Sequence, residues 1–124
     1  MLVDTDILID YLKEYPEAVD FIEANIDQIM ISSITVAELF QGVRDGNDSG
    51  ALDDFLSAVR VLDVNLAIGK TGGLFRRQYK LSHNSGLADC LIAATANEHR
   101  IPLKSLNTKH FPMLADVEAP YTKE

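Results

Sequence analysis

Three carboxylates and one amide in this chain stand where side chains can do chemistry. Asp4 directly follows the apolar Leu2 and Val3, and Asp89 is flanked by Leu87, Ala88, Cys90, Leu91 and Ile92. A carboxylate in such surroundings must be paired, hydrogen-bonded or bound to a cation, because an unpartnered buried charge is too costly. Glu38 and Asn107 follow two further segments that read as strands, Ile29 to Ile34 and Ile101 to Ser105. Two or three carboxylates brought together repel one another and raise their pKa values unless a cation neutralises them. Oxygen ligands of this kind suit a hard divalent ion such as Mg²⁺ or Mn²⁺. No zinc pattern competes, since His83, His99 and His110 are scattered and there is one cysteine. No G-x-S-x-G, P-loop or G-x-G-x-x-G occurs, so neither a serine hydrolase nor a bound nucleotide cofactor is implied.

Each of these residues also has a purely structural use. Asp6 suits the cap of a first helix. Glu38 completes a capping box with Thr35 through Thr35-Val36-Ala37-Glu38, Asp89 complements the dipole of the helix it opens, and Asn107 suits a turn after a strand. Asp4 and Asp89 are the hardest to explain in that way.

The elements needed to bring these residues together are legible in outline. Met1 to Asp4 reads as a buried strand. A helix through Ile7, Leu8, Tyr11 and Leu12 follows, and Pro16 suits the first turn of a second helix with Val19, Phe21 and Ile22 inside. Ile29 to Ile34 is β-branched and uncharged, a second strand, and the third helix opens at the Thr35 box and runs through Leu39 and Val43. Gly46, Asn47, Asp48, Ser49 and Gly50 form the clearest loop signal. A helix with Leu52, Phe55, Leu56 and Val59 precedes a strand at Val61 to Val64. Leu66 to Leu81 is helical by pattern, with a possible break at Gly69, Gly72 and Gly73. Leu87 to Glu98 is apolar on most faces and therefore a buried helix, and Ile101 to Ser105 is a strand that Pro102 can only begin. Strands alternating with helices predict an α/β fold of three layers, a central and mostly parallel sheet flanked by helices. In such folds ligands bind outside the carboxyl ends of the strands, where Asp4, Thr5, Asp6, Thr35, Glu38, Ser105 and Asn107 all fall.

The 124 residues suffice for one domain, 1–124, and not for two. Their 47% apolar content and net charge of −8 describe an acidic globular chain rather than a disordered one. Cys90 alone can form no intrachain disulfide, which fits a reducing, cytoplasmic setting. The N-terminus carries Asp4 and Asp6 where a secretory signal needs basic residues, and no stretch approaches a membrane span. The acidic balance argues at first against nucleic acid, whose affinity comes largely from Lys and Arg. However, no Asp or Glu occurs between Asn65 and Ala88, where Lys70, Arg76, Arg77, Lys80 and His83 gather. Lys70, Arg76, Arg77 and Lys80 are candidate RNA contacts, with a solvated helix face as the plain alternative.

Four segments in order, Val3-Asp4-Thr5-Asp6-Ile7-Leu8-Ile9, Ile34-Thr35-Val36-Ala37-Glu38-Leu39, Gly86-Leu87-Ala88-Asp89-Cys90-Leu91-Ile92-Ala93-Ala94-Thr95-Ala96 and Ser105-Leu106-Asn107-Thr108-Lys109-His110-Phe111, resemble the PIN-domain ribonucleases. Within that family the chain is similar to the single-domain VapC-like toxins of toxin-antitoxin pairs. The resemblance implies that Asp4, Glu38 and Asp89 hold a divalent metal, directly or through water. It places Asn107 where many members carry a fourth acid, and Ser105 where Thr is common, to hold a water or a carboxylate. Lys104 replaces a residue that is more usually apolar. Thr5, Asp6, Thr35 and Ser105 would then orient the ligands. The implied reaction is hydrolysis of RNA by metal-activated water, and the implied partners are a cognate antitoxin and a second copy of the chain.

Other classes fit less well. Asp4-Thr5-Asp6 after a strand also matches the D-x-D signature of haloacid-dehalogenase phosphatases, with Asp4 as nucleophile and Asp6 as general acid, but the later paired acids are missing. A catalytically inactive PIN-like binding module predicts lost acids, and only Asn107 departs. A receiver domain needs its acceptor at the end of a central strand, which Asp63 does not supply.

Overall fold

The computed structural model describes residues 1–43, 46–79 and 86–123. Its elements follow in the order β1 (Leu2–Val3), α1 (Thr5–Leu12), α2 (Pro16–Asn25), β2 (Met30–Ser32), α3 (Ser33–Gly42), α4 (Gly46–Ala58), β3 (Arg60–Leu62), α5 (Leu66–Tyr79), α6 (Leu87–His99), β4 (Leu103–Lys104) and β5 (Val117–Glu118). The five strands form one sheet in the order β3-β2-β1-β4-β5, and every pairing is parallel. The three-layer α/β fold expected from the alternation is therefore observed. Among the described residues no helix is long and apolar enough to cross a membrane.

Successive residues of a strand face opposite sides of a sheet, so two adjacent apolar residues require a core on each side. β1 meets that requirement. Val3 joins Ile7, Leu8, Ile22, Ile31 and Phe55 on one face, with α1, α2 and α4. Leu2 joins Leu62, Ile92, Ala93, Leu103 and Phe111 on the other, with α6. α5 lies against α6, and Cys90 is buried as core filler.

Strand order reverses at β1: from there the chain passes to β2 and β3 on one side, and β4 and β5 lie on the other. A crevice opens at such a switch point beyond the carboxyl ends of the strands. Asp4 leaves β1 and Ser105 leaves β4 at that point, and the Asp4 N–H donates to the Lys104 carbonyl at 2.9 Å.

Several boundaries depart from the expectation. The Gly46 to Gly50 segment is the start of α4, not a loop. Asn, Asp and Ser are favoured where a helix begins and its N–H groups lack intrahelical partners, and burial of Leu52 and Phe55 anchors the helix that follows. β2 stops at Ser32, which caps α3 by accepting from the Ile34 N–H at 3.0 Å. The glycines of α5 do not break it. Gly72 is instead a packing site, since a Cβ there would lie 2.6 Å from Leu91 Cδ2 and 3.2 Å from Leu91 Cα. Asp63 falls just beyond β3, an edge strand, which removes the receiver reading. Strand β5 has no counterpart in the expected elements. Lys80, His83 and the end of the Leu66 to Leu81 segment lie outside the described residues.

Candidate active site

The site is built on two short strand ends and the helices that start beside them. Asp4 is the cap of α1 and accepts from the Thr5 N–H at 2.8 Å through Oδ1. The cap of α1 is thus Asp4 rather than Asp6, because the helix begins at Thr5, two residues before a cap at Asp6 would start it; Asp6 Oδ1 accepts from the Ile7 N–H at 2.8 Å inside the first turn. Asp4 Oδ2 accepts from Ser105 Oγ at 2.7 Å. Ser105 has one proton to give and directs it to Asp4, while its oxygen accepts from the Asn107 N–H at 3.0 Å. Ser105 is fully buried, and Asp4 is 5% exposed.

Asp6 occupies a different station. Its Oδ2 accepts from the Leu106 N–H at 2.9 Å and from Asn107 Nδ2 at 3.1 Å, so it ties α1 to the segment that leaves β4. A carboxylate committed to these donors is poorly suited to the general-acid role of a haloacid-dehalogenase phosphatase. The Asn107 side chain accordingly anchors a neighbour's carboxylate, an arrangement an acid at that position would repel.

Glu38 is not the third member of a capping box. Thr35 lies inside α3, fully buried, and the helix is capped by Ser32 three residues earlier. Glu38 Oε1 instead accepts from Thr5 Oγ1 at 2.7 Å, and Thr5 Oγ1 lies 3.1 Å from Thr35 Oγ1. Each hydroxyl carries one proton. Thr5 gives its own to Glu38, so Thr35 must give its own to Thr5, and a directed chain fixes the glutamate from the buried side.

Asp89 lies in the first turn of α6 and is partly buried. It meets His110 Nδ1 at 3.3 Å. Sequence reasoning missed this contact and set His110 aside as scattered. The available signal was Phe111, whose burial pins the 3₁₀ turn Thr108–His110 against the α6 side of the sheet.

Electrostatics connect the acids. Burial pushes the Asp4 carboxyl up to about 7; the neighbouring Asp6 and, more weakly, Asp89 also raise it, against the lowering effect of the Ser105 and Thr5 donors. Burial also raises Asp6, opposed by the Leu106 and Ile7 N–H groups. An oxygen-rich cluster that holds a proton for want of positive charge is a fitting seat for a hard cation. Among the described residues no three His, Cys, Asp or Glu side chains converge as a ready cage. Asp4 and Asp6 meet around Ser105 and Asn107, whereas Glu38 is held at Thr5 and Asp89 at His110, so the three expected ligands do not form one closed set. Of the candidate RNA contacts, Lys70, Arg76 and Arg77 lie on α5, where Lys70 and Arg77 are exposed. Arg76 is partly buried, and its Nη1 has no hydrogen-bond partner among the described residues.

Comparison with known proteins gives the same direction. The model of the PIN domain family matches residues 1–115. Ribonuclease VapC19 of Mycobacterium tuberculosis is 38% identical, over 97% of this chain and 98% of that protein. Ribonuclease VapC of Rickettsia bellii is 32% identical over 95% and 92%. Among solved structures, a toxin-antitoxin complex from Klebsiella pneumoniae contains a chain that superposes with a TM-score of 0.84 at 34% identity, covering 98% of both chains. DNA-bound VapBC from Salmonella typhimurium shares the fold, with a TM-score of 0.83 at 23% identity. With a parallel sheet whose switch point gathers Asp4, Thr5, Asp6, Ser105 and Asn107, and with relatives of this similarity along almost its whole length, the chain belongs to the PIN domain family.

Proposed function

We propose that this chain is a metal-dependent endoribonuclease, a single PIN domain spanning 1–124, and the toxin of a toxin-antitoxin pair that acts in the cytoplasm. The observation that carries the reading is the burial of Asp4 at the switch point, with its carboxyl raised to about 7 beside Asp6 and Asp89. Relatives named as VapC ribonucleases support the substrate class.

Asp4, Glu38 and Asp89 would hold a Mg²⁺ or Mn²⁺ ion, in part through water. Bound there, such an ion supplies an activated water and neutralises charge on the phosphoryl oxygens. The protein's own contribution is orientation. Ser105 fixes one oxygen of Asp4 and the Thr5 N–H fixes the other, so the carboxylate cannot rotate. The Thr35-Thr5 chain does the same for Glu38. Asp6 and Asn107 lock the segment after β4 to α1, and His110 Nδ1 meets Asp89 Oδ2.

The antitoxin is proposed as a partner on the strength of solved relatives described as toxin-antitoxin complexes, and a second copy of the chain on the resemblance to VapC-like toxins alone. A groove of about 920 Å³ runs between α1, α2 and α4. Its floor includes Tyr11, Val19, Ile22 and Phe55, and Asp20, Glu23 and Asp54 add negative charge. It suits an amphipathic segment with a basic edge.

The deciding experiment is cleavage of labelled cellular RNA by wild type and Asp89→Asn, with Mg²⁺ and then with a chelator. Wild-type cleavage that needs the metal and is lost in Asp89→Asn is the expected result. Metal binding without cleavage of any RNA would sink the ribonuclease reading, and full activity in Asp89→Asn would remove that residue from the site.

A further inference from the structure

A second cavity, of about 620 Å³, opens between α1 and the segment that follows β5. It shares Asp6 and Asn107 with the carboxylate cluster and so is continuous with it. From Asp6 its wall climbs α1 through Ile9 and Asp10 to Lys13, spaced three, four and seven residues on and therefore on one helix face. Leu106, Tyr121 and Lys123 line the opposite side.

The charges in this cleft do not follow the acidic balance of the chain as a whole. The chain carries −8, but the two acids of the cleft, Asp6 and Asp10, are matched by the two lysines, Lys13 and Lys123. Asp10 is buried and satisfied, with Tyr121 Oη donating to Oδ2 and Lys123 Nζ to Oδ1, both at 2.9 Å. The Lys123 ammonium also sits 5.0 Å over the Tyr15 ring. Asp6 is engaged by Leu106 and Asn107. Lys13 is exposed, and its side chain has no hydrogen-bond or ion-pair partner among the described residues. Ile9 is 40% exposed although it belongs to the helix that carries the site. An unengaged cation, an uncovered aliphatic side chain and a tyrosine ring around one cavity are the complement of a nucleotide: a phosphate and a flat apolar base.

We infer that this cleft is a substrate subsite that takes one unpaired nucleotide of the RNA strand next to the bond being cut, with Lys13 at its phosphate and Ile9 and Tyr121 against its base. The inference rests on the ribonuclease reading above. It assigns strand binding to a face of α1 on the far side of the cluster from the basic α5.

The test uses a short oligoribonucleotide that spans a cut mapped in total RNA, with a single abasic nucleotide placed at successive positions around the cut. In wild type one adjacent abasic position raises KM about tenfold with kcat within twofold, the scale of one lost base contact. Ile9→Ser raises KM for the intact strand and makes that abasic position indifferent, because both changes remove the same contact. Lys13→Ala lowers the logarithmic salt slope of kcat/KM by about 0.7, the value for one phosphate contact on a single strand. Melting curves verify that both variants fold, and should Ile9→Ser not do so, the exposed, unpartnered Lys13 carries the test alone. Additive effects of Ile9→Ser and the abasic positions, or an unchanged slope in Lys13→Ala, overturn the subsite while wild-type cleavage stands. If wild type cuts no RNA at all, the ribonuclease reading fails and the subsite with it. Variants that cut RNA normally but lose a protein partner would assign the cleft to that partner instead.

Discussion

Asp4→Asn should stabilise the metal-free protein while abolishing its activity. The Asp4 carboxyl is raised from 3.8 to about 7, chiefly by burial and then by Asp6. Between these values the folded chain retains a proton that the unfolded chain has lost, so stability falls as pH rises from about 4 to 7 and stays low above. About three pH units at 1.36 kcal/mol each set a ceiling of about 4 kcal/mol on the loss at pH 8. Asparagine is neutral throughout and escapes this loss. Its Oδ1 can still accept from the Thr5 N–H, whereas its Nδ2 replaces an acceptor of the Ser105 proton, and losing that bond costs about 1 to 2 kcal/mol. The net expectation at pH 8 is a gain of about 2 kcal/mol, roughly 8 °C in melting midpoint for a chain of this size. At pH 4, where Asp4 is protonated in the folded chain, the variant should be no more stable than wild type. Thermal melts in chelator at both pH values measure this directly. Added Mg²⁺ should raise the wild-type midpoint at pH 8 by mass action and leave the variant unmoved. A variant less stable than wild type at pH 8, or a wild-type midpoint flat from pH 4 to 8, would refute the argument that Asp4 is held against its own charge.

Three further perturbations test the remaining parts of the geometry. Thr5→Val keeps the shape of a buried residue but removes the hydroxyl between Thr35 and Glu38. It should cost about 1 to 3 kcal/mol in urea melts and lower kcat more than it raises KM; a loss confined to KM would show that Glu38 needs no orienting. Arg76→Ala with Arg77→Ala should weaken RNA binding and flatten its salt dependence, and an unchanged slope would return α5 to a solvated face. Gly72→Ala should destabilise by about 1 to 3 kcal/mol because Leu91 occupies the space of its Cβ. Gly73→Ala, which meets nothing within 4 Å, should stabilise by about 1 kcal/mol through helix propensity. Equal effects of the two would sink the packing account of Gly72.

What the sequence discloses and what it hides divides along contact range. Asp4 was legible because the oddity is local: a charge directly after Leu2 and Val3 has to be satisfied somewhere, whatever the fold. The glycine pattern of α5 was legible as a cost but not as a fit, since the reason for Gly72 is Leu91 on another helix. The capping box failed for a related cause. Thr35-Val36-Ala37-Glu38 meets every local criterion, yet β2 ended early enough for Ser32 to cap first, which left Glu38 free to turn toward Thr5. The interactions that finish the site span longer distances still. Ser105 reaches Asp4 across 101 positions, and Tyr121 and Lys123 reach Asp10 across 111 and 113. No local pattern carries that information. Strand β5 was missed because two residues cannot display a period, and its existence depends on Leu103 and Lys104 to pair with.

Those long-range bonds also explain how strands of two and three residues hold a site in register. β1 and β4 pair through only Leu2 with Leu103 and Val3 with Lys104, too little to fix the loops beyond them. Asp6, by accepting from Leu106 and Asn107, and Asp4, by accepting from Ser105, extend that pairing by side chains past the end of the sheet. Asp4 therefore serves two ends, since it would help hold a cation and also aligns α1 with β4, while Asp6 serves the alignment. This predicts a coupling: Asp6→Asn, which keeps an acceptor but loses the charge, should weaken cleavage far less than Asp6→Ala, which unties the segment and lets Asn107 and Ser105 drift from Asp4. Equal activity in the two variants, measured as kcat/KM on the same RNA, would mean that alignment is not what Asp6 provides.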